Sequence, residues 1–396
     1  MPDTTSAFLS PSARSARVKS PIIPTINTWV RQHPVTISLC QGVAFFSPPQ
    51  EALAAVEDRL HEKQLDLYGP VQGIPELVAA LRHKLEQKNQ IHFDQGQEVF
   101  VTAGSNMAFS SLMLALLDPG DEVILLTPFY FNHEMAITLA NAKAVLTPTL
   151  ENFHPDLDAI KNNITARTKA IVTVSPNNPS AAVYSQEELT EINQLCERHG
   201  LYHISDEAYE DFVFEDAKHF SAASLNNSAD HTISLYSFSK AYGFAGWRVG
   251  YMLVPAQLAA ALRKIKDTIL ISPPIISQLA ALGALQANTG YLQTHLNEIK
   301  NSRTLCLQAL NNSEVLQQTV QSEGAFYIFA RIQSRLSDLE TAHYLIREHG
   351  VATIHGSAFA AEGYLRISYG ALTSDSVDTG MQRFIKGLQQ LTLVRT

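Results

Sequence analysis

Between residues 98 and 253 this chain alternates short apolar runs with longer segments of helical character. No other feature limits its possible folds as strongly. The runs are Glu98–Thr102, Glu122–Leu126, Lys143–Leu146, Ala170–Val174, Leu201–Ile204, Thr232–Tyr236 and Arg248–Leu253. Short runs that are apolar almost throughout read as strands covered on both faces. Helical segments lie between several of them, such as Ser105–Leu117 and Gln186–His199, the second preceded by Ser185 as N-cap. This alternation predicts an α/β fold built on a mostly parallel, doubly wound sheet.

The last third has a different pattern. Leu258 to about Leu310 reads as one long helix. After Glu323-Gly324-Ala325 come two short strands, Phe326–Ala330 and Leu365–Ser368, with a helix near Asp338–His349. A smaller α+β unit is therefore expected. The predicted division is an N-terminal arm over 1–45 that packs on the small unit, a large unit over 46–285 and the small unit over 286–396. The boundary falls inside the long helix.

Charge and cysteine content narrow the function. The 38 acidic and 29 basic residues leave a net charge of −9. That balance opposes nucleic-acid binding, which needs basic patches to displace counterions. No apolar run reaches the ~18 residues of a membrane helix. Cys40, Cys196 and Cys306 are far apart and form no CxxC pair, which opposes a disulfide framework or zinc site and suits a reducing cytoplasm. The residues before about Trp29 are rich in Ser, Pro and Arg and lack the apolar centre of a secretion signal; with Asp3 the only acid before Glu51 they also suit a transit peptide, but an ordinary arm is expected.

Candidate functional residues cluster at the predicted strand ends. Lys240 lies in Ser237-Phe238-Ser239-Lys240, just past a buried strand, with Gly243, Gly246 and Arg248 following. Partial desolvation there lowers the lysine pKa and makes a neutral amine available for Schiff-base chemistry. Asp206, in Ser205-Asp206-Glu207-Ala208-Tyr209, ends another strand, the place where open α/β sheets bind ligands. Its carboxylate can keep a ring nitrogen protonated; as a bare signal it equally suits a helix N-cap. Tyr209, one helical turn on, can donate to a ring oxygen, as can the Asn178 amide in Ser175-Pro176-Asn177-Asn178-Pro179, which also reads as a turn. Gly104-Ser105-Asn106 opens a helix with small residues, a phosphate-binding arrangement. Arg248 and the hydroxyls of Ser237 and Ser239 can complete it. Tyr130 follows a strand in Thr127-Pro128-Phe129-Tyr130 and can stack on a flat group or serve the core. Arg366, inside the apolar run Tyr364–Ser368, needs an anionic partner. A substrate carboxylate or an internal acid would serve.

Taken together, these segments resemble the class I/II aminotransferases, pyridoxal-phosphate enzymes of fold type I, from about Thr36 to the C-terminus. The matching segments are Ser237–Tyr251 (SFSKAYGFAGWRVGY), Asn178-Pro179, Asp206-Glu207-Ala208-Tyr209, and Tyr68-Gly69-Pro70 with Gly73 and Leu81-Arg82. The resemblance implies that Lys240 holds the aldehyde of pyridoxal 5'-phosphate as a Schiff base and acts as general base. Asp206 would pair with the ring nitrogen, and Asn178 and Tyr209 with the ring oxygen. Gly104, Ser105, Asn106, Ser237, Ser239 and Arg248 would surround the phosphate, and Tyr130 would stack on the ring. Arg366, Gly42 and Asn178 would hold the substrate carboxylate. Tyr68 would reach the phosphate of a neighbouring subunit, so a homodimer with shared sites is implied. The implied reaction transfers an amino group from an L-amino acid to a 2-oxo acid. A β-lyase would start from the same carbanion, and a non-catalytic sensor would share the fold.

The chain departs from the family pattern near the substrate. Ser180-Ala181 stands where Thr-Gly is usual, His355-Gly356 where Pro-Gly is usual, and Val43-Ala44-Phe45-Phe46 is unusually apolar. No arginine lies in Asp267–Leu285, and Asn106 occupies a position where a cation could hold a second carboxylate. Phe45, Phe46, Tyr130 and Tyr327 suit an aromatic or other apolar side chain. The preferred substrate stays open at this point.

Overall fold

The computed structural model describes residues 11–93, 96–318 and 320–392. The first ten residues of the expected N-terminal arm lie outside this range. The described strands are β1 (Ile37–Ser38), β2 (Gln97–Thr102), β3 (Glu122–Thr127), β4 (Lys143–Pro148), β5 (Thr168–Val174), β6 (Tyr202–Asp206), β7 (Thr232–Ser237), β8 (Gly250–Pro255), β9 (Tyr327–Arg331), β10 (Val351–Ala352), β11 (Ile354–His355) and β12 (Tyr364–Ser368).

Seven of them form one sheet in the order β2-β8-β7-β6-β5-β3-β4. The β4, β3, β5, β6 and β7 strands run parallel. The β8 strand is antiparallel to both its neighbours, β7 and β2. This is the expected mostly parallel, doubly wound α/β sheet. Its apolar runs are explained by cover on both faces. Phe109, Leu112 and Met113, with Leu258 and Leu262, pack on Val123, Val172, Ile204 and Ile233 from one side. Leu189, Ile192 and Leu195 pack on Ile124 and Ile171 from the other, and Leu77, Leu81 and Leu85 on Val99, Val101 and Leu253.

The chain runs outward from β3 to β4 on one side, and from β5 through β6 to β7 on the other. Strand order therefore reverses between β3 and β5, and a crevice opens at their C-terminal ends, as such sheets require. Asp206 ends β6 at this crevice, and Tyr130, Asn178 and Lys240 follow β3, β5 and β7, which also end there.

A second sheet, β11-β12-β9, is antiparallel and places Arg366 opposite Phe329 and Ile354. The β1 strand pairs in parallel with β10. The helix Ile22–Gln32 adds Ile26 to the apolar cluster of Cys40, Phe329, Ile346 and Phe359.

Caps bound the helices flanking the sheets. Gln186–His199 begins with a capping box between Ser185 and Glu188 and ends on Gly200 in the left-handed conformation. Asp338–His349 repeats the device with Ser337, Glu340 and Gly350. Each cap contributes on the order of 1 kcal/mol.

The structure corrects three expectations about elements. The segment read as one helix over 258–310 is three helices, Ala256–Ile269, Ile275–Leu285 and Thr289–Asn311. Ile271 takes φ +67, Pro273-Pro274 cannot continue the first helix, and the Asn288 side chain starts the third. The β8 strand begins at Gly250 rather than Arg248, because Arg248 has φ +56. The β9 strand begins at Tyr327 rather than Phe326, after Ala325 at φ +54.

Candidate active site

The crevice holds a cavity of about 820 Å³, open mouth included, lined by residues from both sheets. Gly42, Ser105, Asn106, Tyr130, Asn178, Asp206, Tyr209, Ser237, Ser239, Lys240, Arg248 and Arg366 all face it. Twelve of the fourteen sequence-predicted residues thus meet in one place. Gly104 lies directly behind the lining. Tyr68 lies outside the cavity of its own chain, on a surface groove with Leu67 and Ile275, and is 84% exposed.

Lys240 sits in the single turn Phe238–Ala241 that follows β7, capped by the Ser237 hydroxyl accepting from the Ser239 N–H at 3.1 Å. Its ammonium donates to the Gly42 carbonyl and stands 5.4 Å from the Tyr209 ring. Burial, then the charges of Arg366 and Arg248, pull its pKa down to about 8, while Asp206 opposes them.

Asp206, the last residue of β6, is buried. One carboxylate oxygen accepts from the Ala208 N–H at 3.1 Å, and the other lies 3.2 Å from His133 Nε2. His133 comes from the helix Phe131–Leu139 and is stacked on Phe109 with 4.1 Å between ring centres. Sequence reasoning missed His133. A single histidine on an apolar helix carries no distinguishing signal, and only the fold brings it behind Asp206.

The Asn178 amide oxygen accepts from Arg366 Nη1 at 2.7 Å, and the Cys40 carbonyl accepts from Nη2 at 2.6 Å. The guanidinium lies over the Tyr327 ring at 4.4 Å and the Phe359 ring at 5.1 Å. Its Nε is buried without a partner. No acid among the described residues pairs with this buried cation. Arg248 likewise pairs with no acid among the described residues, although it is exposed. It donates to the Ala245 carbonyl at 2.9 Å and the Ala103 carbonyl at 3.4 Å. Two arginines held only by neutral acceptors leave two uncompensated positive charges in one cavity, which suits two anions.

Backbone geometry shapes the cradle beside Arg248. Gly104, at φ +82 and ψ 164, precedes the helix Ser105–Leu116, which has no side-chain cap. A Cβ on Gly104 would overlap the Arg248 guanidinium. A Cβ on Gly250 would lie 2.8 Å from the Ser105 nitrogen. These glycines let an arginine and an uncapped helix N-terminus converge where an anion can sit. The residues present therefore fit pyridoxal phosphate: an anion cradle, an amine, a ring-nitrogen partner and hydroxyl donors.

Two further expectations need correction. Phe45 and Phe46 do not line the cavity; Phe46 stacks on His295 with 4.1 Å between ring centres, and Phe45 packs on the same histidine. Ile23, Val43 and Phe131 are the apolar lining instead; the apolar Val43–Phe46 run pointed to Val43, while the sequence offered no sign of Ile23 or Phe131.

Comparison with known proteins agrees with this geometry. Residues 34–384 match the family model for aminotransferase class I and II. An aromatic aminotransferase of Arabidopsis thaliana is 32% identical over 96% of this chain and 96% of its own. An aspartate aminotransferase of Pyrococcus abyssi is 36% identical over 90% of this chain and 92% of its own. A solved aspartate aminotransferase double mutant of Thermus thermophilus superposes with a TM-score of 0.88 at 31% identity, over 96% of this chain and 100% of its own.

Proposed function

The chain belongs to the class I and II aminotransferases, and from that premise we propose that its preferred amino acids carry apolar or aromatic side chains. The enzyme is a pyridoxal-phosphate-dependent aminotransferase. When bound, pyridoxal phosphate supplies an electron sink that stabilises negative charge on the substrate α-carbon.

The site residues would divide the remaining work. Arg366 would bind the substrate carboxylate, since its charge meets only the Asn178 amide and the Cys40 carbonyl. Arg248, Ser105, Asn106, Ser237 and Ser239, with the backbone at Gly104, would hold the phosphate. Tyr130 would lie against the ring, and Asn178 and Tyr209 would face its oxygen. Asp206, fixed by His133 and the Ala208 N–H, would keep the ring nitrogen protonated. The Lys240 amine, pulled down to about 8, is partly neutral near pH 7. It would take the α-proton on Nζ and return it on the other side of the transfer.

One observation carries the substrate reading. The cations lining the cavity are Lys240, Arg248 and Arg366, and each has a partner assigned above. None is left for a second carboxylate, while Ile23, Val43 and Phe131 form an apolar wall. With a common 2-oxo acid, kcat/KM for phenylalanine or methionine should exceed that for aspartate. The reverse order would overturn this reading.

We further propose a cytoplasmic homodimer. Among the described residues no helix is long and apolar enough to cross a membrane, and all three cysteines are free and buried. Leu67 and Tyr68 expose 59% and 84% of their surface around one groove that Ile275 and Leu279 also line, a face suited to a second copy. Tyr68 would enter the partner's site from there. Sedimentation should show a dimer at micromolar concentration, and a monomer would sink the proposal. The division into an arm over 1–45, a large unit over 46–285 and a small unit over 286–396 belongs to the same reading.

A further inference from the structure

Tyr209, three residues past the end of β6, and Tyr327, the first residue of β9, bring their hydroxyl oxygens to 2.5 Å. They come from different sheets, both are buried, and both line the cavity. Two phenols carry two protons, and the bond between them uses one. The other proton remains for an acceptor in the cavity. If Tyr209 donates to Tyr327, its proton is spent there. If Tyr327 donates, the Tyr209 proton is free to face an oxygen on a bound ring.

The setting of Tyr327 limits its freedom. Arg366 lies over its ring at 4.4 Å. Its hydroxyl faces Gly42, where even a Cβ would overlap it. Its hydroxyl is therefore aimed at Tyr209.

We propose that Tyr327 is a positioning residue: it donates its hydrogen bond to Tyr209 and thereby turns the Tyr209 proton toward the ring oxygen of the cofactor. This rests on the reading of Tyr209 as that oxygen's partner. A phenol that accepts a hydrogen bond becomes a better donor through its own O–H, because bonds in a chain polarise one another. The pair therefore favours the anionic form of the ring oxygen and lowers the pH at which the bound cofactor changes absorbance. The other charged or titratable groups at the site are Tyr130 after β3, Asp206 at the end of β6 with His133 behind it, Lys240 after β7, Arg248 before β8 and Arg366 on β12. Removing the Tyr327 oxygen alters none of them, so they form a constant background.

The test is a spectrophotometric pH titration of the cofactor-loaded enzyme without substrate, on the parent, Tyr209→Phe, Tyr327→Phe and the double variant. Tyr209→Phe should raise the midpoint. Tyr327→Phe should raise it less, by roughly threefold in the acid dissociation constant. The double variant should match Tyr209→Phe alone, because Tyr327 acts only through Tyr209. The inference is overturned if Tyr209→Phe moves the midpoint and Tyr327→Phe does not, or if the two shifts add. An unmoved midpoint in Tyr209→Phe overturns the reading of Tyr209 and the inference with it. Cofactor affinity, measured on the same samples, should change little in Tyr327→Phe; a large loss without a midpoint shift would mark Tyr327 as structural only and overturn the proposal.

Discussion

At Lys240 three charges and one low-dielectric wall compete, and removing a charge should reveal each. Capture of an aldehyde needs the neutral amine. With the Lys240 pKa at about 8, uptake of pyridoxal phosphate by stripped protein should accelerate as pH rises through about 8 and level off above it. Arg366 lowers this pKa and Asp206 raises it. Arg366→Gln should therefore move the midpoint up and Asp206→Asn should move it down, as read by stopped-flow absorbance against pH. Unmoved midpoints would leave burial and Arg248 as the causes. His133 offers a second check at this scale. His133→Leu strands a buried Asp206 oxygen that now lies 3.2 Å from Nε2. A lost buried partner costs about 1–3 kcal/mol, so the cofactor dissociation constant should rise roughly tenfold or more, measured by fluorescence titration. The sequence marked Lys240, Asp206 and Arg366 because each is a charged group set in apolar surroundings. His133 and the Tyr209–Tyr327 bond stayed hidden because they depend on how separate elements pack.

The elements themselves were legible where burial writes a continuous signal. Strands β3, β5, β6 and β7, covered on both faces, begin or end within two residues of their apolar runs. Helix Gln186–His199 matches to the residue, and Asp338–His349 lies where it was expected, because Ser caps and a terminal Gly mark both ends. The pairs Ile37–Ser38 with Val351–Ala352, and the strand Ile354–His355, are too short for any periodicity to show. The break of the 258–310 segment was written in Pro273-Pro274, but its apolar spacing on both sides masked it. Gly104 ties element geometry to function. Its φ of +82 and ψ of 164 lie in a region that is essentially reserved for glycine. Gly104→Ala should cost about 1–3 kcal/mol of stability and also displace Arg248. Melting should show the first effect. A cofactor dissociation constant raised well beyond tenfold should show the second. Loss of stability with full cofactor affinity would remove Gly104 from the cradle.

Across the whole molecule, the two sheets meet along more than the cavity, and one ionic cluster outside it joins them. His154 Nδ1 lies 2.9 Å from Glu188, the N3 residue that caps the helix over the large sheet. His154 Nε2 lies 3.4 Å from Glu323, in the segment that leads into β9 of the small sheet. Glu323 also accepts from the Val183 N–H at 2.9 Å. Hydrogen bonding to Glu188 and then to Glu323 pushes the His154 pKa up to about 10, against the effect of burial. Both ring nitrogens then act as donors, which only the imidazolium can do. An unfolded histidine titrates near 6.5. The stabilisation is therefore complete below about 6.5 and declines as pH rises, until it is gone once pH passes about 10. His154→Gln should lower the urea midpoint at pH 6.5, and the gap from the parent should close by pH 10.5. A gap of equal size at both pH values would mean that packing, not charge, makes His154 matter. The cavity chemistry should be insulated from this seam, because His154 does not line the cavity, and catalytic pH profiles of the variant should keep the parent's midpoint.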